Sequence, residues 1–501
     1  MTVPLVFRPA LLIEIAGQRI AGPHAQSLSA VLVRQALAAA SVAELDFANP
    51  DAKTVEGMRH GEALKLFDAE RKVIFAGEIC GIEHVHDGSN GHTLRVRAYD
   101  RLQRLRTKRR VRAISKTSAA ALAAELASEI ECGSAVARTT PERELVIQQG
   151  ESDLDLLADL AADAGAYPYL HDDTLHLIGL DGVGDPVSLA LGRTLYSVRA
   201  TLSNERALGR SETFAWTPRT NDRVRADTAQ ANQDAAELRN VNLRAQAAER
   251  LVLNAVVDGE NEARALAQAD MDWAAGHEAA VTGAAQGRAE LRPGQVVQIE
   301  GVAADVAGRY VIAEALHRFD ATSGYMTEFS TVPPKRPARQ RNAVYSIGEV
   351  SDTNDPEGLG RCRVKLPAFS SVESGWMPVL ISGAGKGKGL IALPETGDEV
   401  LVTFPNGDAA HGIILGGLFG RKRMPRGAAR RRARPFVLRT GGGQCLELSA
   451  EGGLARLSTS IGSLLELTHA TTRLASATDL IIEAPGRKIT IRAAAVNFER
   501  G

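Results

Sequence analysis

The chain has 501 residues, of which 44% are hydrophobic and 4% aromatic, with 59 basic and 60 acidic side chains. This length is typical of about three or four domains. The balanced charge excludes a global field that would draw the chain to nucleic acid or to a membrane surface, and the low aromatic content disfavours base stacking. Four widely spaced cysteines without a CxxC pair, Cys80, Cys132, Cys362 and Cys445, are typical of reduced structural thiols.

The opening stretch MTVPLVFRPALLIEIAG does not have the pattern of a secretory signal. It lacks a basic leader, and Glu14 interrupts its apolar run. No apolar run elsewhere in the sequence is long enough to span a bilayer. We therefore expect the protein to be made in the cytoplasm without a signal peptide.

Short strands between turn residues are predicted for residues 1 to about 110. The segments RKVIFAGEICGIEHVHDG and GHTLRVRAYDRL predict two strands joined by a Gly-Ser-Asn-Gly turn. Apolar residues at helical spacing then predict helices in KTSAAALAAELASEI and ESDLDLLADLAADAG. In the second helix, Ser152 and Asp155 are placed as an N-terminal capping pair and Gly165 as the stop.

Strands and one further helix are predicted as far as residue 332. TLHLIGL predicts a strand, whereas the polar stretch from about 217 to 248 predicts irregular structure or a long loop because its periodicity is weak. ENEARALAQADMDWAAGH predicts a helix. Strands are predicted in GQVVQIEGV, GRYVIAEALHRF and GYMTEFSTV, and the Pro-rich basic segment 333–341 predicts a linker.

The segment DTNDPEGLG, residues 352–360, is dense in carboxylates and glycines, and an ion-binding loop is one interpretation of such a segment. A calcium loop needs oxygen ligands at its first, third and fifth positions and glycine at the sixth. Asp352 and Asn354 fit, but Pro356 and Glu357 occupy the fifth and sixth positions, so the calcium pattern fails. The later loop SGAGKGKGL lacks the Ser or Thr that follows lysine in a P-loop, which favours a mobile loop between strands.

His84 and His86 form an HxH pair on a predicted strand and would face the same side. Two ligands are too few for a zinc site and no third is visible nearby in the sequence, which favours a surface pair. The sequence contains neither HExxH nor GxSxG. We therefore predict no catalytic residues, no metal site and no cofactor, and we expect that the protein is not an enzyme.

A basic linker is predicted at 421–435, after a compact β module at 343–420. A nucleic-acid patch is one interpretation of this linker. However, the preceding module has five basic against nine acidic residues, which suits neither a phosphate groove nor base stacking. This favours a solvated connector that meets acidic neighbours in an assembly. Its basic residues are Arg421, Lys422, Arg423, Arg426, Arg430, Arg431, Arg432 and Arg434.

From Phe436 onward the sequence predicts short strands of period two, each with two apolar side chains on one face. The intervening residues are mostly Glu, Thr, Arg or Ser. The segments are CLELS, LARLSTS, LLELT, TRLASAT, DLIIEA and KITIRAAAVNF, and their paired apolar residues are Leu446 and Leu448, Leu465 and Leu467, Leu480 and Ile482, and Ile489 and Ile491.

No helix or large aromatic residue in this last segment is available to cover the apolar face. A single segment of this size would have a thin core, worth about 3–5 kcal/mol at most, and its narrow sheet would leave edges open to other chains. Three identical copies wound round a common axis would bury each apolar face and pair each edge, although burial and edge pairing do not fix the number three. The sequence therefore predicts an intertwined trimeric β-prism at 436–501.

The module at 343–420 resembles the OB-fold of phage tail spikes, baseplate V proteins and VgrG. The resemblance lies in a turn of the type Asp-Pro-x-Gly-Leu-Gly-Arg, a Trp strand, a glycine-rich loop and the run Pro-x-x-Gly-Asp-Glu-Val-Leu-Val. The matching residues are Asp355, Pro356, Gly358, Gly360, Arg361, Trp376, Pro394, Gly397, Asp398, Glu399, Gly407 and Asp408. In the turn, Pro356 locks φ, Asp355 can bond its own backbone, and the glycines adopt conformations closed to other residues.

Residues 1–335 are similar, more loosely, to the tail-hub part of the same proteins. The order hub, OB-fold and needle covers nearly the whole chain. The resemblance implies a mainly β fold with some α: tandem hub β-barrels with helical segments, an OB-fold barrel and a C-terminal intertwined trimeric β-helix or prism. Spikes of this family can carry a lysozyme domain between OB-fold and needle, but here the linker of about fifteen residues is too short for a folded enzyme.

The resemblance also implies a function, as the central hub-spike protein of a contractile, phage-tail-like injection particle. The trimer is expected to adapt a sixfold tube to a threefold spike and to help pierce the target envelope. The implied partners are a hexameric inner tube protein, baseplate components and a PAAR-type tip at the C-terminal end, near Val496 and Phe498; no nucleic acid is expected. A short, enzyme-free fusion is most like the spike of an extracellular contractile injection system, with a type VI secretion VgrG or a phage tail spike as the alternatives.

Overall fold

A computed structural model describes residues 11–20, 26–89, 91–231, 248–336, 342–386, 388–419 and 435–499. The chain divides into two compact units, Met1–Leu418 and Phe419–Gly501. It is mainly β with a few helices, which confirms the predicted fold class. Within the ranges given above, no helix combines the length and apolarity that a membrane crossing requires.

The described residues of the first unit form five α-helices and most of the strands. The helices are α1 (Ala52–Gly57), α2 (Leu102–Thr107), α3 (Ala119–Glu129), α4 (Asp153–Asp163) and α5 (Glu260–Glu278). The strands are β1 (Leu11–Ile15), β2 (Gln18–Arg19), β3 (Leu28–Ala36), β4 (Val42–Ala48), β5 (Ala63–Asp68), β6 (Val73–Asp87), β7 (Gly91–Tyr99), β8 (Arg109–Thr117), β9 (Gly133–Val136), β10 (Arg143–Ser152), β11 (Tyr167–His171), β12 (Thr174–Ile178), β13 (Val183–Ala190), β14 (Leu195–Leu202), β15 (Leu208–Thr217), β16 (Asp222–Thr228), β17 (Ala248–Val256), β18 (Ala279–Gln286), β19 (Gln295–Glu300), β20 (Gly308–Val311), β21 (Glu314–Asp320), β22 (Gly324–Ser330), β23 (Val344–Asp352), β24 (Arg363–Leu366), β25 (Val372–Glu373), β26 (Glu399–Phe404) and β27 (Ile413–Leu418).

An eleven-stranded sheet joins the two ends of the N-terminal region, defined here as residues 11–336, in the order β14-β18-β22-β21-β3-β4-β7-β6-β5-β1-β2. The antiparallel pair of β21 and β3 connects its halves. One core lies under β1 to β7 and includes Ile13, Leu45 and Val96. A second core, which includes Val281 and Ile299, lies between the other half and the three-stranded sheet β13-β19-β20. The N-terminal region therefore contains one continuous sheet with a separate core under each half, and its division into two hub barrels stays a prediction.

The helix boundaries confirm the sequence signals. The Ser118 hydroxyl accepts a hydrogen bond from the Ala121 amide at 3.2 Å and caps α3. The Ser152 hydroxyl accepts from the Asp155 amide at 3.1 Å and donates to the Asp155 carboxylate at 2.7 Å, so this pair caps α4 as predicted. Gly165 follows the helix with a φ of +68°, a conformation that favours glycine.

The stretch 217–248 contains a strand where irregular structure was predicted. β16 pairs antiparallel with β15, and α5 covers this sheet. Val224 and Ala226 face the core, whereas Arg223 and Arg225 alternate with them toward solvent, so the period-two signal is present in a short and highly charged stretch. Residues 232–247 lie outside the described residues.

The segment 333–341, predicted as a linker, begins as an anchored strap on α5. The Trp273 indole donates to the Pro334 carbonyl at 2.9 Å. The Arg336 guanidinium lies 2.8 Å from the Asp270 carboxylate and 5.8 Å from the Trp273 ring. Residues 337–341 lie outside the described residues, as does most of the basic linker, at 420–434.

The OB module, residues 342–419, is a five-stranded sheet in the order β25-β24-β23-β26-β27. Its core contains Val350, Val364, Leu366, Val400 and Phe404, all fully buried.

The second unit is a separate antiparallel meander. Its strands are β28 (Phe436–Arg439), β29 (Cys445–Ser449), β30 (Leu454–Ser458), β31 (Leu464–Leu467) and β32 (Thr472–Ala475), hydrogen-bonded in chain order. The predicted strands CLELS, LARLSTS, LLELT and TRLASAT are therefore confirmed.

Candidate functional site

The turn that opens the OB module is built around a buried ion pair. The Asp355 carboxylate accepts hydrogen bonds from the Arg361 side chain at 2.6 and 3.0 Å. It also accepts from the backbone amides of Glu357, Leu359 and Arg361. Arg361 is 1% exposed. The hydrogen bonds from its side chain, and after them those from the three amides, hold the pKa of Asp355 well below its usual range. The turn is therefore a structural device, as predicted.

The two glycines of this turn have the backbone conformations that the sequence required. Gly358 has a φ of +68° and Gly360 a φ of +74°, and both values lie in the left-handed region. A side chain at either position would strain the loop that aims the backbone amides of Glu357, Leu359 and Arg361 at the Asp355 carboxylate. Pro356 lies between them and the carboxylate, at the start of the turn.

The remaining OB motif residues lie at the other turns of the same module. Trp376 is half-buried beneath the Arg363 guanidinium, which lies 5.0 Å from its ring centroid. It lies outside the strands, where a strand was predicted, and only its neighbour Met377 forms an isolated bridge, with Cys362. Pro394, Gly397, Asp398 and Glu399 form the turn that enters β26, in which the Val350 amide donates to the Asp398 carbonyl at 2.9 Å. Gly407 and Asp408 follow β26 and face the N-terminal region.

The N-terminal region completes the core of the OB module. Ile147 on β10 is buried among the OB core residues, and Leu145 packs beside it. The Gln149 side chain donates to the Gly407 carbonyl at 2.9 Å, and Arg219 lies 3.0 Å from Glu357. Sequence reasoning did not identify this junction because the alternation of β10 does not say which partner its apolar residues meet.

A buried histidine fastens the same junction. The His411 ring lies 2.8 Å from the Asp408 carboxylate in its own module and 3.0 Å from the Asp258 carboxylate, just before α5. Burial disfavours its charged form, but the charge of Asp408 and the bonds to both carboxylates outweigh burial and raise the pKa of His411 to about 10. An imidazolium between two carboxylates therefore joins the two parts at neutral pH.

The C-terminal unit carries an apolar row across all five of its strands. Directly opposed residues in the registers of β28 to β32 form this leucine ladder: Leu438, Leu446, Leu457, Leu465 and Leu474. The predicted core residues Leu448 and Leu467 lie on the same face in the adjacent row, with Phe436 and Ala455. Leu465 is 41% exposed, and no described residue of this unit covers the face.

The opposite face carries charges in alternating order. The registers place Glu447, Arg456, Glu466 and Arg473 side by side across β29 to β32, which we call the charged row. The Arg456 guanidinium donates to the Glu466 carboxylate at 2.8 Å. Opposite charges directly across strands stabilise a sheet, whereas the other face offers only apolar side chains to solvent.

The predicted strands DLIIEA and KITIRAAAVNF are not formed in the single chain. Residues 476–499 contain no strand, because the described part of this unit offers them no neighbouring strand to pair with. The predicted core and tip residues in this stretch are exposed, from Val496 at 52% to Phe498 at 94%. The set comprises Leu480, Ile482, Ile489, Ile491, Val496 and Phe498.

The structure shows a third histidine beside the predicted pair His84 and His86, where the sequence analysis found none nearby. His92, just after the hairpin turn, lies directly opposite His86, and one ring nitrogen from each of His84, His86 and His92 falls within 4.8 Å of the others. The third ligand was missed because the strand register, rather than the spacing along the chain, brings it to the pair.

Two family models match the sequence. Residues 36–320, more than half of the chain, match the model described as the Alg8 N-terminal domain. The chain belongs to the Alg8 N-terminal domain family. Residues 346–419 match the type VI secretion system/phage-baseplate injector OB domain, which confirms the predicted OB module and the resemblance of this Alg8-family chain to VgrG-type hub-spike proteins.

Solved structures share the fold of the Alg8-family chain. An Escherichia coli protein, c3393, described as a type VI secretion component similar to T4 bacteriophage tail proteins gp27 and gp5, is 15% identical, with a TM-score of 0.52 over 81% of this chain and 99% of that one. A chain of the Francisella PdpA-VgrG complex is 8% identical, with a TM-score of 0.55 over 93% of this chain and 80% of that one. No curated protein matches the chain.

Replacing Arg361 tests the buried ion pair. Arg361→Met leaves the Asp355 carboxylate without its main partner, so we expect the OB module to lose about 3–5 kcal/mol of stability. Arg363→Met is the matched control: Arg363 is 41% exposed in its pair with Glu373, and we expect a change of about 1 kcal/mol or less. Urea unfolding followed by the fluorescence of Trp376 measures both. Equal losses would contradict a structural role for the turn.

The junction histidine predicts a stability that depends on pH. The pKa of His411 rises from 6.5 to about 10 on folding, so its contribution is complete below pH 6.5 and is lost as the pH rises toward 10. At acidic pH the stability depends on Asp408. The pKa of Asp408 falls from 3.8 to about 2 on folding, so its contribution to stability is present above pH 3.8 and is lost as the pH falls toward 2.

Thermal unfolding of wild type and His411→Gln from pH 6 to pH 10 measures this contribution. We expect the variant to be less stable at pH 6 and the difference to shrink as the pH rises. A difference that stays constant over this range would show that the charge of His411 does not fasten the junction.

Proposed function

We propose that this chain is the structural hub-spike protein of a contractile, phage-tail-like injection particle and acts as a homotrimer. The proposal rests on the leucine ladder, which lies uncovered next to a stretch of alternating residues without strand partners. The match to the injector OB domain supports the particle, and the fold likeness supports the order of hub, OB module and spike.

Burial gives the first reason for self-association. Moving one leucine side chain from water into a core is worth about 1.5–3 kcal/mol, and the ladder presents five of them in one row. A polar partner would leave this energy unused, because the ladder has no donors or acceptors. Two further copies of the same face are apolar, have the same strand spacing and are always present where the chain is made.

Strand pairing gives the second reason. Residues 478–499 keep the period-two pattern of strands, but their backbone groups find few partners in the described chain. In a trimeric prism, each such segment would lie between segments of the other two copies, with Leu480, Ile482, Ile489 and Ile491 turned to the axis. The edges of β28 and β32 would be paired by the same arrangement.

The OB module presents a second apolar surface. Eight large apolar side chains in the described residues of this module are at least 44% exposed, namely Tyr345, Ile347, Leu359, Leu380, Leu390, Ile391, Leu393 and Phe419. Contiguous apolar exposure on a folded module is typical of a surface that another protein covers. In the proposed trimer, the neighbouring OB modules cover it.

The trimer supplies stiffness and symmetry rather than catalysis. Three hub regions form a ring on which the hexameric inner tube assembles, so that a sixfold tube continues into a threefold spike. A PAAR-type tip caps the end near Val496 and Phe498, and contraction of the sheath drives the spike through the target envelope. The chain is made in the cytoplasm, joins the baseplate and leaves the cell within the particle. It has no enzymatic activity, which a peptidoglycan turnover assay would test.

A type VI secretion VgrG is the second candidate. The description of the matching OB family and that of the E. coli relative both name this system. Neighbouring genes for a membrane-anchored secretion complex would favour this candidate, whereas sheath, tube and baseplate genes without them would favour the released particle.

The mass in solution tests the trimer. Light scattering of the purified full chain should give three times the 53.3 kDa chain mass. A monodisperse monomer would contradict the proposal, because the leucine ladder would then be stable in water.

Two substitutions test which face points to the axis. Leu465→Asp and Ile491→Asp should each abolish the trimer, since three carboxylates would meet without partners in an apolar core. Ala450→Asp is the control, because it adds the same charge at an exposed turn residue between β29 and β30, outside both faces of the sheet, and should leave the mass unchanged. Sedimentation velocity measures all three. A Leu465→Asp variant that remains trimeric with unchanged stability would show that the ladder faces outward.

A further inference from the structure

The end of the β6–β7 hairpin brings three histidines together. The register places His86 directly opposite His92, and His84 precedes His86 by two residues, so all three share one face. The ring centroids of His86 and His92 lie 4.4 Å apart, and those of His84 and His92 lie 5.2 Å apart. The cluster therefore follows from backbone pairing and does not depend on a long loop.

The donor atoms have the separation that a metal requires. His84 Nδ1 and His92 Nε2 are 3.0 Å apart, and one nitrogen from each of the three rings lies within 4.8 Å of the others. Three imidazoles bound to one tetrahedral Zn²⁺ at 2.0–2.1 Å hold their nitrogens about 3.3 Å apart. The rings are now stacked nearly parallel, so their side chains would rotate to aim the three nitrogens at a common ion.

The rings are accessible and their backbone is held. β4 follows β7 only as far as Thr93, and β5 follows β6 only as far as Glu78, so the hairpin end extends past both strands. His84 and His86 are exposed and His92 is half-buried. Asn49 fixes His92 by accepting from its amide at 2.9 Å and donating to its carbonyl at 2.7 Å.

The position of the rings argues against a packing role. The same face of the hairpin carries Val96, Ile82 and Leu94 where it lies over the core under β1 to β7. Beyond Leu94 the apolar residues stop and the histidines take their place. Three adjacent imidazoles contribute little to a core at this exposed end, and they repel one another when protonated.

We propose that His84, His86 and His92 bind a divalent first-row transition metal ion, with Zn²⁺ as the expected ion. Neutral imidazole suits Zn²⁺ and its neighbours better than Mg²⁺ or Ca²⁺, which prefer oxygen ligands. Three protein ligands leave a fourth position for water or for a donor from another molecule. The ion would tie the two strands together at the hairpin end. This site is independent of the proposed particle function, since it needs neither the trimer nor the spike.

Metal content of the full chain, purified without a polyhistidine tag, tests the site. The protein is stripped with a chelator, dialysed against micromolar ZnCl₂ and analysed for bound zinc, and Co²⁺ is then used to report the coordination geometry by its visible absorption. We expect one Zn²⁺ per chain, a tetrahedral Co²⁺ spectrum, and the loss of both in His86→Ala and in His92→Ala.

His60→Ala is the matched control, because His60 is an exposed histidine of the same region outside the cluster. It should bind zinc as the wild type does, and circular dichroism of all variants should be unchanged. The proposal is overturned if the wild type binds no zinc, or if His92→Ala keeps its full zinc content. Loss of zinc in His60→Ala as well would place the ion elsewhere and would also overturn it.

Discussion

The leucine ladder of the C-terminal unit is the constraint on which the organisation of this chain depends. Its five side chains lie in register across β28 to β32, with alternating Glu and Arg on the other face. Such a sheet is amphipathic on the scale of a whole unit, yet nothing in the part of the unit that the structure describes covers its apolar side. Because an uncovered sheet of this width is only marginally stable, the unit is understandable as one part of a larger core.

The first unit has the opposite character. Its cores are each buried within one chain. They are the two cores under the large sheet, the core among helices α2, α3 and α4 around Leu122 and Leu157, and the core of the OB module. The OB module is held to the N-terminal region by shared packing at Ile147 and by the charged contact of His411 with Asp258, which is stronger for being buried. A thrust applied to one part would therefore be transmitted to the other without a hinge at this junction, as a hub that carries a spike requires.

Sequence patterns predicted the elements whose signals are local. The cap at Ser152, the turn at Asp355 and the strands β29 to β32 all follow from residues within a few positions of each other. What the sequence did not reveal depends on which segments meet in space: Ile147 in the OB core, Asp258 beside His411, and His92 beside His86. The strand β16 is different. Its alternation of apolar and polar residues is a local signal but a short one, and the polar residues around it led to a prediction of irregular structure.

The charged row explains how the strands of one meander keep a single register. Along a purely apolar sheet, a strand that slipped by two residues would still bury leucine against leucine, so burial alone specifies the register weakly. In the charged row, which lies within one chain, such a slip would move Arg456 away from Glu466 and bring the opposite charges out of step. The charged face thus fixes the register in which the five leucines line up, and the apolar face supplies the energy of the proposed association. The two faces together account for a unit whose strands alternate so regularly without building a core of their own.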